Sequence, residues 1–196
     1  MDYFEIFGLP RRLTLDEGAL QRRFYELSRQ HHPDFHQGAS PEEQARALTT
    51  SALINAAYRA LRDPIRRIEY LVRLEEGRDA KEGDGINPKA APGLLAEMFE
   101  IQEALQEAKG GCLDEASLAT LRVQRDGLTA RCRVEDARLR EALAQAWDTA
   151  APAERPAALA VLREALATRA YLRTVIDDLN QVLGEGQEQH VAHHRH

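Results

Sequence analysis

Four side chains able to bind a metal ion or to carry a proton stand close together near residue 34. His31, His32, Asp34 and His36 supply three imidazoles and one carboxylate to a single short segment. Imidazole nitrogens and carboxylate oxygens are usual ligands of transition metals, so one hypothesis is a metal-dependent hydrolase. Because these donors crowd one loop and the sequence offers no second ligand set, a recognition epitope for a protein partner is the other hypothesis.

The segment before these residues predicts a basic amphipathic helix. Leu20, Phe24 and Leu27 recur at helical spacing. The other faces carry Arg22, Arg23 and Arg29. Asp16 is a suitable N-cap. Pro33 lacks an N–H and disfavours helical backbone at His32, so we expect the helix to end by about His31.

A second helix is predicted shortly afterwards. Ser40-Pro41-Glu42-Glu43 combines a Ser N-cap, a proline at the first helical position and a glutamate at the capping-box position. The tripeptide His32-Pro33-Asp34 therefore lies in the open between two helices, where a rigid proline presents an imidazole and a carboxylate. An ordinary turn uses the same residue types, so the tripeptide alone leaves both interpretations open.

The composition predicts an all-α protein. Of 196 residues, 43% are hydrophobic and only 6% aromatic, and strong helix formers such as Ala, Leu, Glu and Arg are abundant. The formal net charge of −6 argues against a general nucleic-acid binder. With no membrane-length apolar run and no signal peptide, we expect a soluble cytoplasmic protein. Cys112 and Cys132 lack zinc-site spacing, and Cys132 is expected in a core.

Periodicity and the positions of Gly and Pro predict the domain organisation. Residues 1–75 form a first helical domain, 76–92 a linker, 93–183 a three-helix domain and 184–196 a disordered tail. The three helices are expected at about 93–108, 114–149 and 155–183. In the first domain, the core is expected to receive Leu48, Ala52, Asn55, Tyr58 and Leu61 from one helix, together with Phe4 and Phe24. The tail histidines His190, His193, His194 and His196 could bind a metal ion, but a solvated terminus is the preferred interpretation.

Two helices of the second domain each carry apolar residues outside their main stripe. On the first, Leu94, Met98, Ile101 and Leu105 form the stripe, while Leu95 and Phe99 lie to one side. On the third, Tyr171 and Val175 lie nearly opposite the leucine-rich stripe. These off-stripe residues suggest a contiguous apolar patch, rimmed by the acidic Glu97, Glu100, Glu103 and Glu107. Packing of Leu95 and Phe99 against the first domain is the open alternative.

Several motifs together resemble the HscB family of J-domain co-chaperones, which serve iron–sulfur cluster biogenesis. The J-domain part of the resemblance rests on Asp2-Tyr3-Phe4, Phe7-Gly8-Leu9-Pro10, His32-Pro33-Asp34, Ile54-Asn55-x-Ala57-Tyr58-x-x-Leu61, Asp63-Pro64 and Tyr70-Leu71. The run Leu94-Leu95-Ala96-Glu97-Met98-Phe99-Glu100-Ile101-Gln102-Glu103-Ala104-Leu105 resembles the first C-terminal helix of that family. The likeness extends to about Leu183.

The resemblance implies a co-chaperone that is not an enzyme and needs no cofactor. Its J-domain would stimulate the ATPase of a DnaK-type chaperone (HscA-like), and its C-terminal domain would hold and deliver a scaffold protein (IscU-like). By resemblance, the chaperone-binding residues are His32, Pro33 and Asp34 with Arg22, Arg23 and Arg29. The scaffold-binding residues are Leu95, Ala96, Phe99, Glu100, Glu103 and Tyr171. A J-domain protein for a different client is the nearest alternative, and nothing demands more than a monomer.

Two positions and one missing motif depart from the family pattern. Phe35 stands where the family often has a lysine after the tripeptide, so a charge contact there is in doubt. Ala96 replaces a frequent methionine, which thins the predicted apolar patch. The zinc-binding cysteine motif of some eukaryotic members is absent from the sequence, which fits a bacterial-type protein.

Overall fold

The computed structural model of the chain describes residues 2–36, 38–77, 101, 103 and 114–184, with the backbone alone at Pro33 and His36. All regular elements in these ranges are helical, which confirms the predicted all-α class. Of the described residues, those in Met1–Asp84 and Arg140–Leu162 form one compact unit. Those in Gly85–Leu139 and Arg163–His196 form the second.

The first unit begins with four helices and one short 3-10 segment. They are α1 (Tyr3–Phe7), α2 (Glu17–Gln30), the 3-10 segment Pro33–His36, α3 (Pro41–Arg62) and α4 (Pro64–Glu75). Asp16 caps α2 by accepting from the Ala19 N–H at 3.0 Å, as predicted. Ser40 and Glu43 form the predicted capping box at the start of α3. Asp63 ends α3 and caps α4, accepting from the backbone of Ile65 and Arg66.

The helices α2 and α3 lie side by side in opposite directions, as expected for a helical hairpin. The Phe24 and Tyr58 rings stack with centroids 4.0 Å apart. Residues from the start of α2 and the end of α3 line one shared groove, among them Glu17, Gln21 and Arg62. The hairpin therefore holds the connecting loop, which carries the tripeptide, at one end of the pair.

The core face of α3 differs from the predicted one. Leu48 is 63% exposed, and Ala52 and Asn55 are exposed as well. The buried residues of α3 are Ala47, Ile54, Ala57 and Leu61, of which only Leu61 was predicted for the core. The packing of α3 against α1, α2 and α4 decides which face is buried, and the hydrophobicity of Leu48 alone could not indicate that choice.

A later segment of the chain completes the first unit. After the π-helical turn Leu139–Leu143 comes α6 (Ala144–Thr149), whose Trp147 is only 1% exposed. Residues 140–162 cluster with the N-terminal helices, while the domain boundaries drawn from the sequence stay predictions. The predicted linker 76–92 and tail 184–196 lie outside the described residues except at 76, 77 and 184.

The second unit is built on two long helices, α5 (Glu115–Arg138) and the later part of α7 (Arg155–Val182). Its described core contains Ile101 together with residues of both helices: Leu121, Leu128, Cys132, Tyr171, Leu172, Val175 and Leu179. Asp136 of α5 and Arg169 of α7 form an ion pair beside this core. Cys132 is a buried free thiol, which confirms its predicted core position, and burial raises its pKa. Cys112 and most of the predicted helix 93–108 lie outside the described residues.

Candidate functional site

The loop between α2 and α3 exposes the tripeptide predicted to be an epitope. The side chains of His32 and Asp34 are 52% and 71% exposed. Pro33 begins the 3-10 segment, which packs against α3. The Phe35 N–H donates to the His32 carbonyl oxygen at 3.1 Å and closes a tight turn around Asp34. The imidazole and the carboxylate are thus accessible on a short, internally hydrogen-bonded turn.

The two polar groups of the tripeptide also interact with each other. His32 Nδ1 lies 3.5 Å from Asp34 Oδ2 and 3.3 Å from the Asp34 backbone nitrogen. A neutral Nδ1 without a proton accepts the hydrogen bond from the Asp34 N–H, whereas a protonated Nδ1 attracts the carboxylate instead. The two interactions are alternatives, because Nδ1 accepts a hydrogen bond only when it carries no proton. With the neutral tautomer that accepts, Asp34 keeps its carboxylate available for a partner.

The three predicted arginines are exposed along α2 but are not equivalent. Arg23 is bonded to Glu26, with Nη1 and Oε2 3.0 Å apart. Arg22 and Arg29 have no ion pair with any other residue that the structure describes. Exposed ion pairs such as Arg23–Glu26 contribute little stability, so Arg23 can still bind a partner. To do so it must first break its ion pair with Glu26. Arg22 and Arg29 are the more available positive charges.

An exposed aromatic residue lies between these two arginines, and the sequence reasoning missed it. Tyr25 is three residues after Arg22 and four before Arg29, so all three share one helical face. Its side chain is 62% exposed. Its spacing relative to the arginines was visible in the sequence, but an aromatic next to Phe24, which was predicted for the core, gave no sign of its own exposure.

A buried polar clamp fixes the chain just before α2. Arg67 of α4 is 3% exposed and donates from Nη1 to the Leu13 carbonyl and from Nε to the Leu61 carbonyl, both at 2.6 Å. The Asp148 carboxylate accepts from the Leu13 N–H at 2.8 Å and from Thr14. Burial lowers the pKa of Arg67, while the charges of Glu17, Asp63 and Asp148 oppose the shift. The clamp holds the start of the helix that bears the arginines.

The second predicted site is only partly within the described residues. Glu103 is exposed, as a rim residue should be, while Leu95, Ala96, Phe99 and Glu100 lie outside them. Tyr171 and Val175 were expected on an exposed patch, but they are 9% and 5% exposed and belong to the core. The expected exposure is wrong because α7 is packed over a wide arc in this unit, by α5 residues and by Ile101. A contact between Tyr171 and a scaffold protein stays a prediction.

The described part of the chain shows no metal-binding arrangement of the kind that the hydrolase hypothesis requires. Within 2–36, 38–77, 101, 103 and 114–184, no three His, Cys, Asp or Glu side chains come together as a metal ligand set. The side chain of His36 and the tail histidines are not among these residues. In the same ranges, no helix is long and apolar enough to cross a membrane.

Comparison with known proteins matches both the N-terminal site and the overall architecture. Residues 2–70 match the DnaJ domain family. The chaperone HscB from Vibrio cholerae is 27% identical, with a TM-score of 0.60 over 94% of this chain and 99% of that one. The human co-chaperone protein HscB is 23% identical, with a TM-score of 0.59 over 92% of this chain and 81% of that one, and it supports the fold. The capped hairpin and the exposed tripeptide thus occur within a DnaJ domain.

Proposed function

The chain is a J-domain co-chaperone of the HscB type, and we propose that it stimulates ATP hydrolysis by a DnaK-type, HscA-like chaperone. In the same proposal it delivers an IscU-like iron–sulfur scaffold protein to that chaperone. The observation that carries the proposal is the exposed His32-Pro33-Asp34 turn at the end of a hairpin with a basic helix. The protein itself performs no chemistry in this scheme, and its site of action would be the cytoplasm.

The arginines of α2 would guide the encounter with the chaperone. Arg22 and Arg29 extend from the exposed face of a helix whose opposite face is fixed by Leu20 and Leu27. A positive surface that meets an acidic one accelerates association, and added salt screens the attraction. The encounter step should therefore be sensitive to ionic strength, and these two side chains should contribute most of that sensitivity.

Asp34 would supply the contact on which stimulation depends. An exposed carboxylate on a closed turn can form a charge-assisted hydrogen bond with an arginine of the chaperone. Stimulation requires that this contact be stronger in the chaperone state that is competent for hydrolysis, because a ligand shifts an equilibrium only by its differential affinity. The partner arginine would then compete with His32, whose protonated form attracts the same carboxylate.

The second unit would provide the scaffold-binding surface. The proposal retains Leu95, Ala96, Phe99, Glu100 and Glu103 as surface residues by resemblance. Tyr171 would act indirectly, because its side chain is buried among the residues of the second core. A buried aromatic of this kind would contribute by keeping the helices of the second core close-packed.

A single-turnover ATPase assay with the full chain and its HscA-like chaperone tests the proposal. The wild type should accelerate hydrolysis, and Asp34→Asn should abolish the acceleration, because a neutral amide cannot make the charge-assisted contact. Asp177→Asn, an exposed aspartate of the second unit, is the matched control and should behave as wild type. Unchanged far-UV circular dichroism would show that the loop variant is folded; retained stimulation by Asp34→Asn would refute the role of the tripeptide.

The client requires a separate experiment. Immobilised scaffold protein should capture the wild-type chain and Asp34→Asn equally, because the loop is not part of the proposed scaffold surface. The double variant Leu95→Ala/Phe99→Ala should bind more weakly by a few kcal/mol, as is typical for buried anchors. If the scaffold fails to capture the wild type while ATPase stimulation is intact, the chain serves a different client.

A further inference from the structure

Phe35 is an apolar aromatic side chain that is not part of the core of the first unit. Its side chain is 70% exposed, whereas Phe4 and Phe7 are buried and Phe24 is stacked on Tyr58. Among the phenylalanines that the structure describes, it is the only exposed one. A phenyl ring has no polar atom with which to interact with water, so this exposure has no benefit for the isolated chain.

The ring is nevertheless held in a defined place beside the tripeptide. Its edge meets the His32 imidazole in a T-shaped arrangement, with centroids 6.2 Å apart and planes at 74°. Its backbone N–H closes the turn by donating to the His32 carbonyl. Asp34 lies between these two residues in the chain and is as exposed as Phe35. The phenyl ring and the carboxylate are therefore adjacent features of one accessible surface.

We propose that Phe35 is an apolar anchor for the chaperone, inserting into an apolar recess beside the group that receives Asp34. This inference rests on the proposed function, since the occupant of the surface is the same DnaK-type chaperone. The contact around the loop would then be ionic at Asp34 and apolar at Phe35. The apolar part adds affinity that salt does not screen, because it depends on removing the ring from water.

Phe35 as an anchor would also make this chain selective among DnaK-type chaperones. A chaperone with a charged side chain at that position would have to bury the charge against the phenyl ring without a partner. Such a chaperone should respond poorly to this chain even if it recognises the tripeptide. The recess, rather than the residue that pairs with Asp34, would then distinguish the cognate chaperone from other members of its class.

Variants at position 35 test the inference through the concentration dependence of stimulation. For Phe35→Ala, the concentration giving half-maximal ATPase stimulation should rise about tenfold or more, as for the loss of a buried aromatic contact, with the maximal stimulation retained. Phe35→Leu should restore most of the affinity because it keeps apolar area. Val123→Ala removes an equally exposed apolar side chain from the second unit and should have no effect.

The outcomes separate this inference from the proposed function. If Phe35→Ala equals wild type while Asp34→Asn abolishes stimulation, the anchor is refuted and the proposed function stands. If Phe35→Ala lowers the maximal stimulation without changing the half-maximal concentration, Phe35 acts only by positioning His32, and the anchor is again refuted. If Phe35→Lys binds more tightly at low salt, the opposing surface is acidic rather than apolar. If the wild type stimulates no DnaK-type chaperone, the proposed function itself fails.

Discussion

The tripeptide loop and the surroundings of Tyr171 were both predicted to be binding surfaces, but they differ in their exposure to solvent. The loop is exposed, and its hydrogen bonds and ring contact join residues at most three positions apart. Tyr171 is buried in a cluster that also includes Ile101, Leu121 and Cys132. The comparison teaches that the exposure of a site built from neighbours in sequence can be predicted from the sequence. The exposure of a site that depends on the packing of several helices cannot.

Among the substitutions that test this comparison, Tyr171→Ala is expected to have the largest effect. Tyr171→Ala should lower the free energy of unfolding by about 3–5 kcal/mol, the usual cost of truncating a buried aromatic. Urea unfolding followed by far-UV circular dichroism measures the change. Arg173→Ala, an exposed neighbour on α7, should stay within about 0.5 kcal/mol of wild type. A stable Tyr171→Ala variant with weak scaffold binding would place Tyr171 on the surface after all.

Arg67 tests whether the loop site also depends on long-range contacts. Arg67→Met should lower the free energy of unfolding by about 2–4 kcal/mol, because the carbonyls of Leu13 and Leu61 lose their donor in a buried place. The fluorescence of Trp147, the single tryptophan of the chain, reports on the first unit.

Arg66→Met is the matched control for the clamp, since Arg66 is adjacent and exposed. It should change the free energy of unfolding by no more than about 0.5 kcal/mol. Equal effects of the two variants would mean that the positive charge of α4, and not the clamp, matters for stability.

A smaller effect is expected from the arginines beside the loop. Arg22→Ala/Arg29→Ala should raise the half-maximal concentration for ATPase stimulation about 3–10-fold at low salt, with less difference at higher salt. Arg23→Ala should do less, because that side chain is already paired with Glu26. A salt-independent loss in the double variant would contradict a role in electrostatic guidance.

The smallest effect is expected at Leu48, which the hydrophobic pattern assigned to the core. Because it is 63% exposed, Leu48→Ala should change the free energy of unfolding by less than about 0.5 kcal/mol. Ala47→Leu, at the adjacent buried position, should instead destabilise by about 1–3 kcal/mol through overpacking. The reverse result in thermal or urea unfolding would restore the predicted face of α3.

Much of the first unit could be predicted because the signals are local. Asp16 and Ser40 start helices, Pro33 ends one, and Asp63-Pro64 separates two, each through backbone chemistry within a few residues. The family resemblance supplied the J-domain assignment, which the match of residues 2–70 confirms. The cytoplasmic location, the monomeric state and the domain boundaries stay predictions.

The sequence by itself determined where α2 and α3 begin and where α2 ends, and that an imidazole and a carboxylate lie on the turn between them. Capping, proline geometry and helical periodicity act over a few residues, so they are written into the sequence. Only the tertiary structure decided that Ala47 rather than Leu48 faces the core, that Asp148 reaches Leu13, and that Tyr171 is buried. Those outcomes depend on which helices pack together, and close packing couples residues far apart in the chain.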